Sequence, residues 1–362
     1  MKKNSTRYSR REFLKRTSQA ASGFVVLSAV PSLLRSGTLT GSPIVVERTF
    51  YTMGTTVSVT AYGESRSQIN HAITKAFQAI QRCDDLMSVY KPGSDVSRLN
   101  RSGGREPVPV DESIIDLLHH AERFHTLSSG VFDVTVEPLM HLWGFRNENG
   151  IPLHAPSDRE ITASLDAVGF ENVSFEGGNR VGLLNPGTKV DLGGIAVGYS
   201  VDAAVNVLKS EGIEAAFINH SGDAYALGAP PEDEGWEIGI PDPSSPDAMI
   251  AGMKVRDRAV STSGNYRKSF ETGGKRIGHI LDPRTGKPAG ESASTTVFAH
   301  SALEADALST ALFGLPETDQ QSLLDAIPET ELISIGRANG KVVRRKTRVC
   351  HGLTAQEYSL FH

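Results

Sequence analysis

Apolar residues recur with the period of a helix in several long segments of the chain. The first segment, Ile69–Met87, has apolar side chains at positions 69, 72, 73, 76, 77, 80, 83 and 87. A second helix is predicted over Asp111–Leu127, and a third between Gly193-Gly194 and Gly212. Spacings of three and four place the apolar residues on one face, so each helix is predicted to pack that face against a core.

Alternating apolar and polar residues predict strands before and between these helices. Val57, Val59 and Ala61 alternate with polar neighbours and follow a strand that begins at Ile44. Further strands are predicted at 173–176, 181–185, 189–192, 215–219, 236–240, 253–255, 295–299 and 332–335. Ser157 with Glu160 predicts a capping box for a helix near 158–167. This order predicts an α+β fold in which long helices cover a largely antiparallel sheet, and no linker divides residues 44–362.

The charge of the chain is unevenly distributed. The formal net charge is -5, but residues 1–36 carry eight Lys or Arg against the single acid Glu12. The rest of the chain therefore carries 29 basic and 41 acidic residues. An acidic body repels the phosphate backbone of DNA and RNA, so nucleic acid is excluded as the expected partner.

The basic N-terminus has the pattern of an export signal. Arg10-Arg11 is followed by Glu12-Phe13-Leu14-Lys15 and by a weakly apolar run over 20–34, which is shorter than the ~20 residues that span a bilayer. We interpret residues 1–36 as a twin-arginine signal peptide read by the twin-arginine export machinery, which predicts a periplasmic protein that is not integral to the membrane after processing. The alternative is an uncleaved amphipathic anchor, which would leave the protein membrane-associated.

Two cysteines are present, Cys83 and Cys350. One disulfide is possible in an oxidising periplasm, but the sequence does not establish that the two residues meet. Cys83 lies on the apolar face of the first predicted helix, which favours a buried free thiol.

A carboxylate and a hydroxyl lie four residues apart near the C-terminal end of the chain. Asp306 and Thr310 belong to a segment with helical periodicity, so they are predicted to lie one above the other on one helix face. Two hard oxygen ligands with room for water suit Mg²⁺, which usually completes its shell with waters and substrate phosphates. The alternative interpretation is a solvated helix surface.

Two further segments carry candidate chemistry. His279 precedes an apolar pair and an Asp-Pro turn, which is compatible with a proton-transfer residue or with a half-buried structural histidine. Asp191-Leu192-Gly193-Gly194 stands at a predicted strand-to-helix junction, where glycines let the backbone approach a ligand and the helix N-terminus offers N–H groups to an anion. A simple tight turn is the alternative there.

Nine segments together resemble the FAD:protein FMN transferase (ApbE) family, in family order and over nearly all of residues 50–315. They are Met53-Gly54-Thr55, Met87-Ser88-Val89-Tyr90, Ser97-Arg98-Leu99-Asn100, Phe132-Asp133-Val134-Thr135, Val190-Asp191-Leu192-Gly193-Gly194, Gly222-Asp223, Ser261-Thr262-Ser263-Gly264, His279-Ile280-Leu281-Asp282-Pro283 and Asp306-Ala307-Leu308-Ser309-Thr310.

The resemblance implies a T-fold-like layered α+β domain over 44–362 with FAD in a cleft. It also implies Mg²⁺-dependent transfer of FMN from FAD to a threonine of an acceptor flavoprotein with a D-[GS]-x-T-like motif, releasing AMP. His279 matches the general base. The implied metal ligands are Gly194 through its backbone carbonyl, Asp306 and Thr310, and Ser309 stands where some members carry Asp. The implied FAD contacts are Met53, Tyr90, Val131, Phe132, Asp133, Asp191 and Ile280.

Two other functions use overlapping features. An FAD pyrophosphatase would need the same Mg²⁺ site, with water in place of the threonine and free FMN and AMP as products. A non-catalytic FAD-binding protein would need neither the paired metal ligands nor the histidine.

Overall fold

The computed structural model describes residues 43–146, 155–243, 245–264, 269–272, 275–289, 292–338 and 341–348, with the two short strands Val25–Val26 and Ala355–Gln356. Apart from Val25–Val26, the predicted signal peptide lies outside the described residues, as does Cys350. Val25–Val26 pairs with residues 238–239 in an antiparallel bridge. Cys83 is a buried free thiol, and burial raises its pKa to about 11.

The strands and helices are numbered in chain order. The strands are β1 (Val25–Val26), β2 (Ile44–Thr52), β3 (Thr55–Gly63), β4 (Val108–Pro109), β5 (Val173–Glu176), β6 (Arg180–Leu183), β7 (Ala215–His220), β8 (Asp223–Leu227), β9 (Trp236–Asp242), β10 (Ser245–Val255), β11 (Arg258–Gly264), β12 (Ser269–Thr272), β13 (Lys275–Gly278), β14 (Leu281–Asp282), β15 (Lys287–Pro288), β16 (Ser292–Ala299), β17 (Glu331–Ala338), β18 (Lys341–Arg348) and β19 (Ala355–Gln356). The helices are α1 (Arg66–Met87), α2 (Asp95–Ser102), α3 (Glu112–Leu127), α4 (Glu137–Leu142), α5 (Asp158–Leu165), α6 (Ala196–Ser210), α7 (Ala302–Gly314) and α8 (Glu317–Ala326).

An eight-stranded antiparallel sheet organises the fold. Its strand order is β18-β17-β16-β11-β8-β7-β3-β2, and every neighbouring pair is antiparallel. Helix α6 packs against both α1 and α7, and all three helices pack against one face of this sheet. The predicted α+β class is therefore confirmed.

The opposite face of the sheet is covered by the β9–β10 hairpin. Trp236 and Ile238 of β9 are fully buried against inward residues of the large sheet such as Phe217. Along β11, Ala259 belongs to the core under the helices and Val260 to the core under β9–β10, because successive side chains of a strand point to opposite faces. The same alternation directs Ser261 and Ser263 toward the helices.

Helix starts follow the capping chemistry of the sequence. The Ser65 and Asp111 side chains accept hydrogen bonds from Gln68 N and Ser113 N at the starts of α1 and α3. The predicted capping box of Ser157 and Glu160 is present at α5. The apolar stripe of α1 is buried over its whole length, as its period predicts.

One predicted strand, 189–192, is wrong. Lys189 makes only an isolated parallel bridge to Val136. The next residue is held by a side chain instead of a strand, since Asn100 Nδ2 donates to Val190 O at 2.8 Å and Asn100 Oδ1 accepts from Val190 N at 2.7 Å. An amide side chain that satisfies both backbone groups of a residue replaces the neighbouring strand that the apolar pattern predicted.

Within the part of the chain that the structure describes, the helices are too short or too polar to cross a bilayer.

Candidate active site

Three polar chain segments meet at one end of the large sheet. The Met53–Gly54 turn joins β2 to β3, and the Ser221–Gly222 turn joins β7 to β8. Because β3 pairs with β7, the two turns lie side by side, and Thr55 Oγ1 donates to Ser221 Oγ at 3.0 Å. Asp223 begins β8 opposite Ser261 of β11, which brings the polar end of β11 to the same place.

Asp306 enters this end of the sheet from α7. Its side chain is only 6% exposed, which rules out the alternative of a solvated helix surface. Asp306 Oδ2 accepts a hydrogen bond from Gly198 N at 3.0 Å, so the carboxylate lies at the N-terminus of α6. That amide and the positive end of the helix dipole stabilise a negative charge there.

The charge environment of Asp306 also attracts cations. Burial raises the pKa of Asp306 well above the ordinary value, and the nearby carboxylates of Asp223 and Asp202 raise it further, while Gly198 N–H lowers it. A positive ion beside Asp306 would offset both the lost hydration and the repulsion between the carboxylates.

Thr310 and Gly194 are brought together as predicted. A methyl group added to Gly194 would lie 3.4 Å from Thr310 Oγ1 and 3.3 Å from Phe132 Cε2. The backbone of Gly194 therefore approaches the face of α7 that carries Thr310, one turn beyond Asp306. A side chain at position 194 would fill the space between these groups.

Three serine hydroxyls lie close to Thr310 between α7 and β11. Ser309 is fully buried, and its Oγ lies 3.0 Å from Ser261 Oγ and 2.9 Å from Ser263 Oγ. Ser263 Oγ also lies 3.4 Å from Thr310 Oγ1. Ser309 thus forms part of a hydroxyl chain that joins α7 to β11.

The donor set fits Mg²⁺. It consists of one buried carboxylate, hydroxyl groups and a backbone carbonyl, all of them hard oxygen ligands. Within the described residues, no three His, Cys, Asp or Glu side chains converge as a metal cluster. An ion held by so few protein ligands needs oxygens from water or from a phosphate-bearing substrate, which is the usual situation of protein-bound Mg²⁺.

Tyr90 and Asp191 are connected through Arg146. Arg146 Nη1 donates to Tyr90 Oη at 2.9 Å, and its guanidinium carbon lies 5.4 Å from the centre of the Tyr90 ring. Arg146 Nη2 also pairs with Asp191, and Nε bonds both oxygens of buried Glu137 at 3.0 and 2.8 Å. Tyr90 is 70% exposed, so it offers surface to a planar ligand while Arg146 supports its ring.

Met53 is held by a buried carboxylate. Met53 N donates to Asp84 Oδ2 at 3.2 Å, and Thr52 Oγ1 donates to the same oxygen at 3.0 Å. Lys91 Nζ lies 2.7 Å from that oxygen. Asp84 therefore joins the Met53 turn to the segment that carries Tyr90.

Asp133, Val131 and Phe132 lie below the surface. Asp133 Oδ1 accepts from Thr135 N at 2.7 Å, and its Oδ2 lies 3.0 Å from His125 Nδ1. This carboxylate is thus used inside the protein, by Thr135 and His125. Val131 and Phe132 are buried in the main core.

Ile280, the chain neighbour of His279, lies next to the end of α7. Ile280 packs with Ala289 and Phe313, and Phe313 follows Thr310 by three residues on the same helix. His279 is half-buried between β13 and Ile280. His279 is therefore one residue away from Ile280, which contacts α7, the helix that carries Asp306 and Thr310.

Contacts and chain neighbours together trace a ring at the end of the sheet. Starting at the Met53 turn, the ring passes through Asp84, Lys91, Tyr90, Arg146, Asp191, Gly194, Thr310, Asp306, Asp223 and Ser221 and returns through Thr55. Asp306 and Asp223 are related by the repulsion between their carboxylates, and the remaining links are contacts or short stretches of chain. Among the predicted residues, Met53, Tyr90, Asp191, Gly194, Asp306 and Thr310 belong to this ring, with Phe132 directly beneath it.

Asp84 and Arg146 belong to the site without having been predicted from the sequence, and Ser263 had been named only as part of a family-like segment, with no role assigned. The sequence pattern could have pointed to Asp84, because this residue follows Ile80 by four positions and puts a charge on the apolar stripe of α1. It could also have pointed to Ser261 and Ser263, since they are polar residues at positions of β11 that face the helices. Arg146 has no comparable pattern.

Comparison with known proteins shows the family to which this chain is similar. The family model described as the ApbE family matches residues 53–333. A protein named FAD:protein FMN transferase from Vibrio cholerae is 33% identical over 278 residues, which cover 76% of this chain and 83% of that protein. One of the same name from Salmonella typhimurium is 32% identical over 292 residues, covering 79% of this chain and 83% of that protein.

Solved structures agree with the fold. The ApbE protein of Thermotoga maritima superimposes with a TM-score of 0.75 at 34% identity, covering 83% of this chain and 97% of that one. The flavinyl transferase ApbE of Pseudomonas stutzeri, in its apo form, gives a TM-score of 0.74 at 30% identity, covering 84% and 95% of the two chains.

Proposed function

This chain belongs to the ApbE family, and we propose that it transfers FMN from FAD to an acceptor protein. The observation that carries the proposal is the approach of Gly194 to Thr310, which lies one turn beyond Asp306 on α7. These three residues belong to the same ring as Tyr90, Asp191 and Met53. A site with hard oxygen ligands beside an exposed aromatic ring suits a substrate that has both a pyrophosphate and planar rings.

Mg²⁺ is the proposed metal. Asp306, Thr310 and the carbonyl of Gly194 would hold it, and when bound it would neutralise charge on the pyrophosphate as AMP leaves. Asp306 is kept in place by Gly198 N–H, and Thr310 by the Ser263 and Ser309 hydroxyl chain. Both ligands are therefore positioned before the metal arrives.

His279 is the proposed general base. An acceptor threonine is a weak nucleophile, so a neutral imidazole that takes its proton speeds attack on the FMN phosphorus. The threonine Oγ–P bond forms, the P–O bond to AMP breaks, and the threonine proton goes to His279. His279 adjoins Ile280, which packs against Phe313 of α7, and this placement near Thr310 in the chain of contacts supports the role.

The acceptor and the location of the protein are also proposals. We propose a flavoprotein acceptor with a D-[GS]-x-T-like motif, delivery of this chain by the twin-arginine machinery, and a periplasmic site of action. The Arg10-Arg11 motif and the short apolar run after it support export.

One assay tests the proposed function. The purified chain is incubated with FAD, Mg²⁺ and an acceptor domain that carries the threonine motif, with the same domain carrying Thr→Ala as the control. We expect FMN covalently attached to the threonine-bearing domain alone, together with AMP in equal amount. Free FMN and AMP with both domains would indicate an FAD pyrophosphatase, and intact FAD would indicate a binding protein.

A further inference from the structure

Asp84 stands at a position where the helix pattern calls for an apolar residue. It lies in the last turn of α1 and is 6% exposed, in line with Ile80 and Phe77 on the buried stripe. A buried carboxylate loses hydration, and an apolar residue of similar size often serves stability as well or better. The charge at this position therefore calls for an explanation other than core packing.

A single oxygen of Asp84 accepts three hydrogen bonds. The donors to Oδ2 are Thr52 Oγ1 at 3.0 Å, Met53 N at 3.2 Å and Lys91 Nζ at 2.7 Å. Thr52 and Met53 come from the first hairpin turn, while Lys91 follows Tyr90 in the segment after α1. Two segments that adjoin the site are thus attached to one atom.

The Met53 turn needs such an attachment. Met53 has a φ of 50° and Gly54 a φ of 72°, so both residues are left-handed. The left-handed conformation is unfavourable for residues other than glycine. Such a residue keeps it only where contacts with the rest of the protein stabilise it. The bond from Met53 N to Asp84 holds the turn from below and leaves Met53 half-buried at the rim.

We propose that Asp84, with Lys91, is a positioning residue that sets the distance between the Met53 turn and Tyr90 and so shapes the FAD-binding rim. The inference rests on the proposed function, because it assigns Met53 and Tyr90 to FAD. Asp84 acts through these residues and does not itself touch the ligand.

The test compares Asp84→Asn and Lys91→Met with Asp95→Asn in the full chain. Asp95 is a matched control because it is also 6% exposed and pairs with an arginine, Arg98, and a backbone amide, Asp111 N, at 2.7 and 2.6 Å. FAD affinity is measured from the quenching of flavin fluorescence, KM and kcat from FMN transfer, Mg²⁺ affinity by calorimetry, and stability from thermal unfolding.

We expect Asp84→Asn and Lys91→Met each to raise the Kd and KM for FAD about tenfold, the effect of one charge-assisted hydrogen bond. Mg²⁺ affinity and kcat at saturating FAD should stay within about twofold of the wild type. The double variant should be no weaker than the worse single variant, because both act through one link. Asp95→Asn should lower the melting temperature and leave the KM for FAD unchanged.

An Asp84→Asn protein that loses thermal stability like Asp95→Asn but keeps the wild-type KM for FAD would overturn the inference and leave the proposed function standing. So would an equal rise of KM in Asp95→Asn. A wild-type protein that binds no FAD would overturn the proposed function and this inference together.

Discussion

Asp202 and Asp306 each accept hydrogen bonds from the N-terminal backbone of the other's helix. Asp306 on α7 accepts from Gly198 N of α6 at 3.0 Å, and Asp202 on α6 accepts from Ala302 N and Leu303 N of α7 at 2.8 and 2.9 Å. The two carboxylates therefore fix the position of α7, which carries Asp306 and Thr310, relative to α6, which begins two residues after Gly194.

Although both aspartates cap a helix, only Asp306 is a proposed metal ligand, so the two alanine variants should differ. Asp306→Ala should abolish FMN transfer through loss of Mg²⁺, because it removes the charged side chain of the ligand set. Asp202→Ala should lower the free energy of unfolding by about 0.5–2 kcal/mol, as expected for a lost helix cap, and should retain Mg²⁺ binding. Calorimetric titration with Mg²⁺ and urea unfolding of both variants distinguish the two roles.

High Mg²⁺ should partly rescue Thr310→Ala, since water can take the place of the hydroxyl. FMN transfer by the wild-type protein that survives treatment with a chelator would refute the metal assignment.

Gly198 is required by the close approach of the two helices. A Cβ at position 198 would lie 2.2 Å from Ala302 O, a backbone atom that cannot move alone. Gly198→Ala should therefore lower the free energy of unfolding by about 1–3 kcal/mol and weaken Mg²⁺ binding, because it pushes α7 away from α6. Gly177→Ala is the control, since nothing lies within 4 Å of a Cβ there. Equal stability of the two variants by urea unfolding would contradict the expectation.

His279→Ala should bind FAD and Mg²⁺ normally and transfer FMN about 10²–10⁴-fold more slowly, as expected when a general base is lost. The wild-type rate should rise with pH as the imidazole becomes neutral, and that rise should be absent from the variant. His300→Ala is the control, because His300 follows β16 at the end of the sheet opposite the site. Single-turnover transfer at saturating FAD is the measurement, and a near-normal rate would exclude His279 as the base.

His220 and Asp202 should give opposite pH dependences of stability. Burial lowers the pKa of His220 to about 4, and burial raises the pKa of Asp202 to about 6. Between pH 6.5 and 4 the unfolded chain protonates His220 before the native state does, so this residue destabilises the fold on acidification. Asp202 binds its proton first in the native state, so it stabilises the fold as the pH falls below about 6.

Relative to the wild type, His220→Gln should therefore gain about 3 kcal/mol in its free energy of unfolding between pH 6.5 and pH 4. Asp202→Asn should lose about as much over the range from pH 6 to pH 4. Urea unfolding at several pH values gives both curves, and parallel curves for all three proteins would contradict the pKa shifts.

Export should depend on the two arginines themselves. Arg10→Lys with Arg11→Lys keeps the charge of the N-terminus, so retention of the precursor in the cytoplasm would show receptor recognition of the pair. Lys15→Arg, also charge-conserving, should be exported normally. Cell fractionation followed by immunoblotting measures both, and periplasmic delivery of the double variant would refute the twin-arginine route.

The sequence determined the local elements of this protein. The stripe from Ile69 to Met87, the alternation in β3, the capping box at Ser157 and the i, i+4 pair of Asp306 and Thr310 all appear in the structure as predicted. Each depends on residues within a few positions of one another, where the periods of helix and strand dictate which side chains share a face. The family resemblance then supplied candidate roles for residues that no period relates.

Tertiary structure alone decided which of these residues form one site. The helical period cannot tell a buried Asp306 from a solvated one, since burial depends on α6 crossing α7 at Gly198. In the same way, the exchange of hydrogen bonds between Asn100 and Val190 removed a predicted strand. Asp84 gained its role only where the turn at Met53 and the segment at Lys91 reach one oxygen. Such contacts join residues far apart in the chain, so they follow from the packing of whole elements and not from any local pattern.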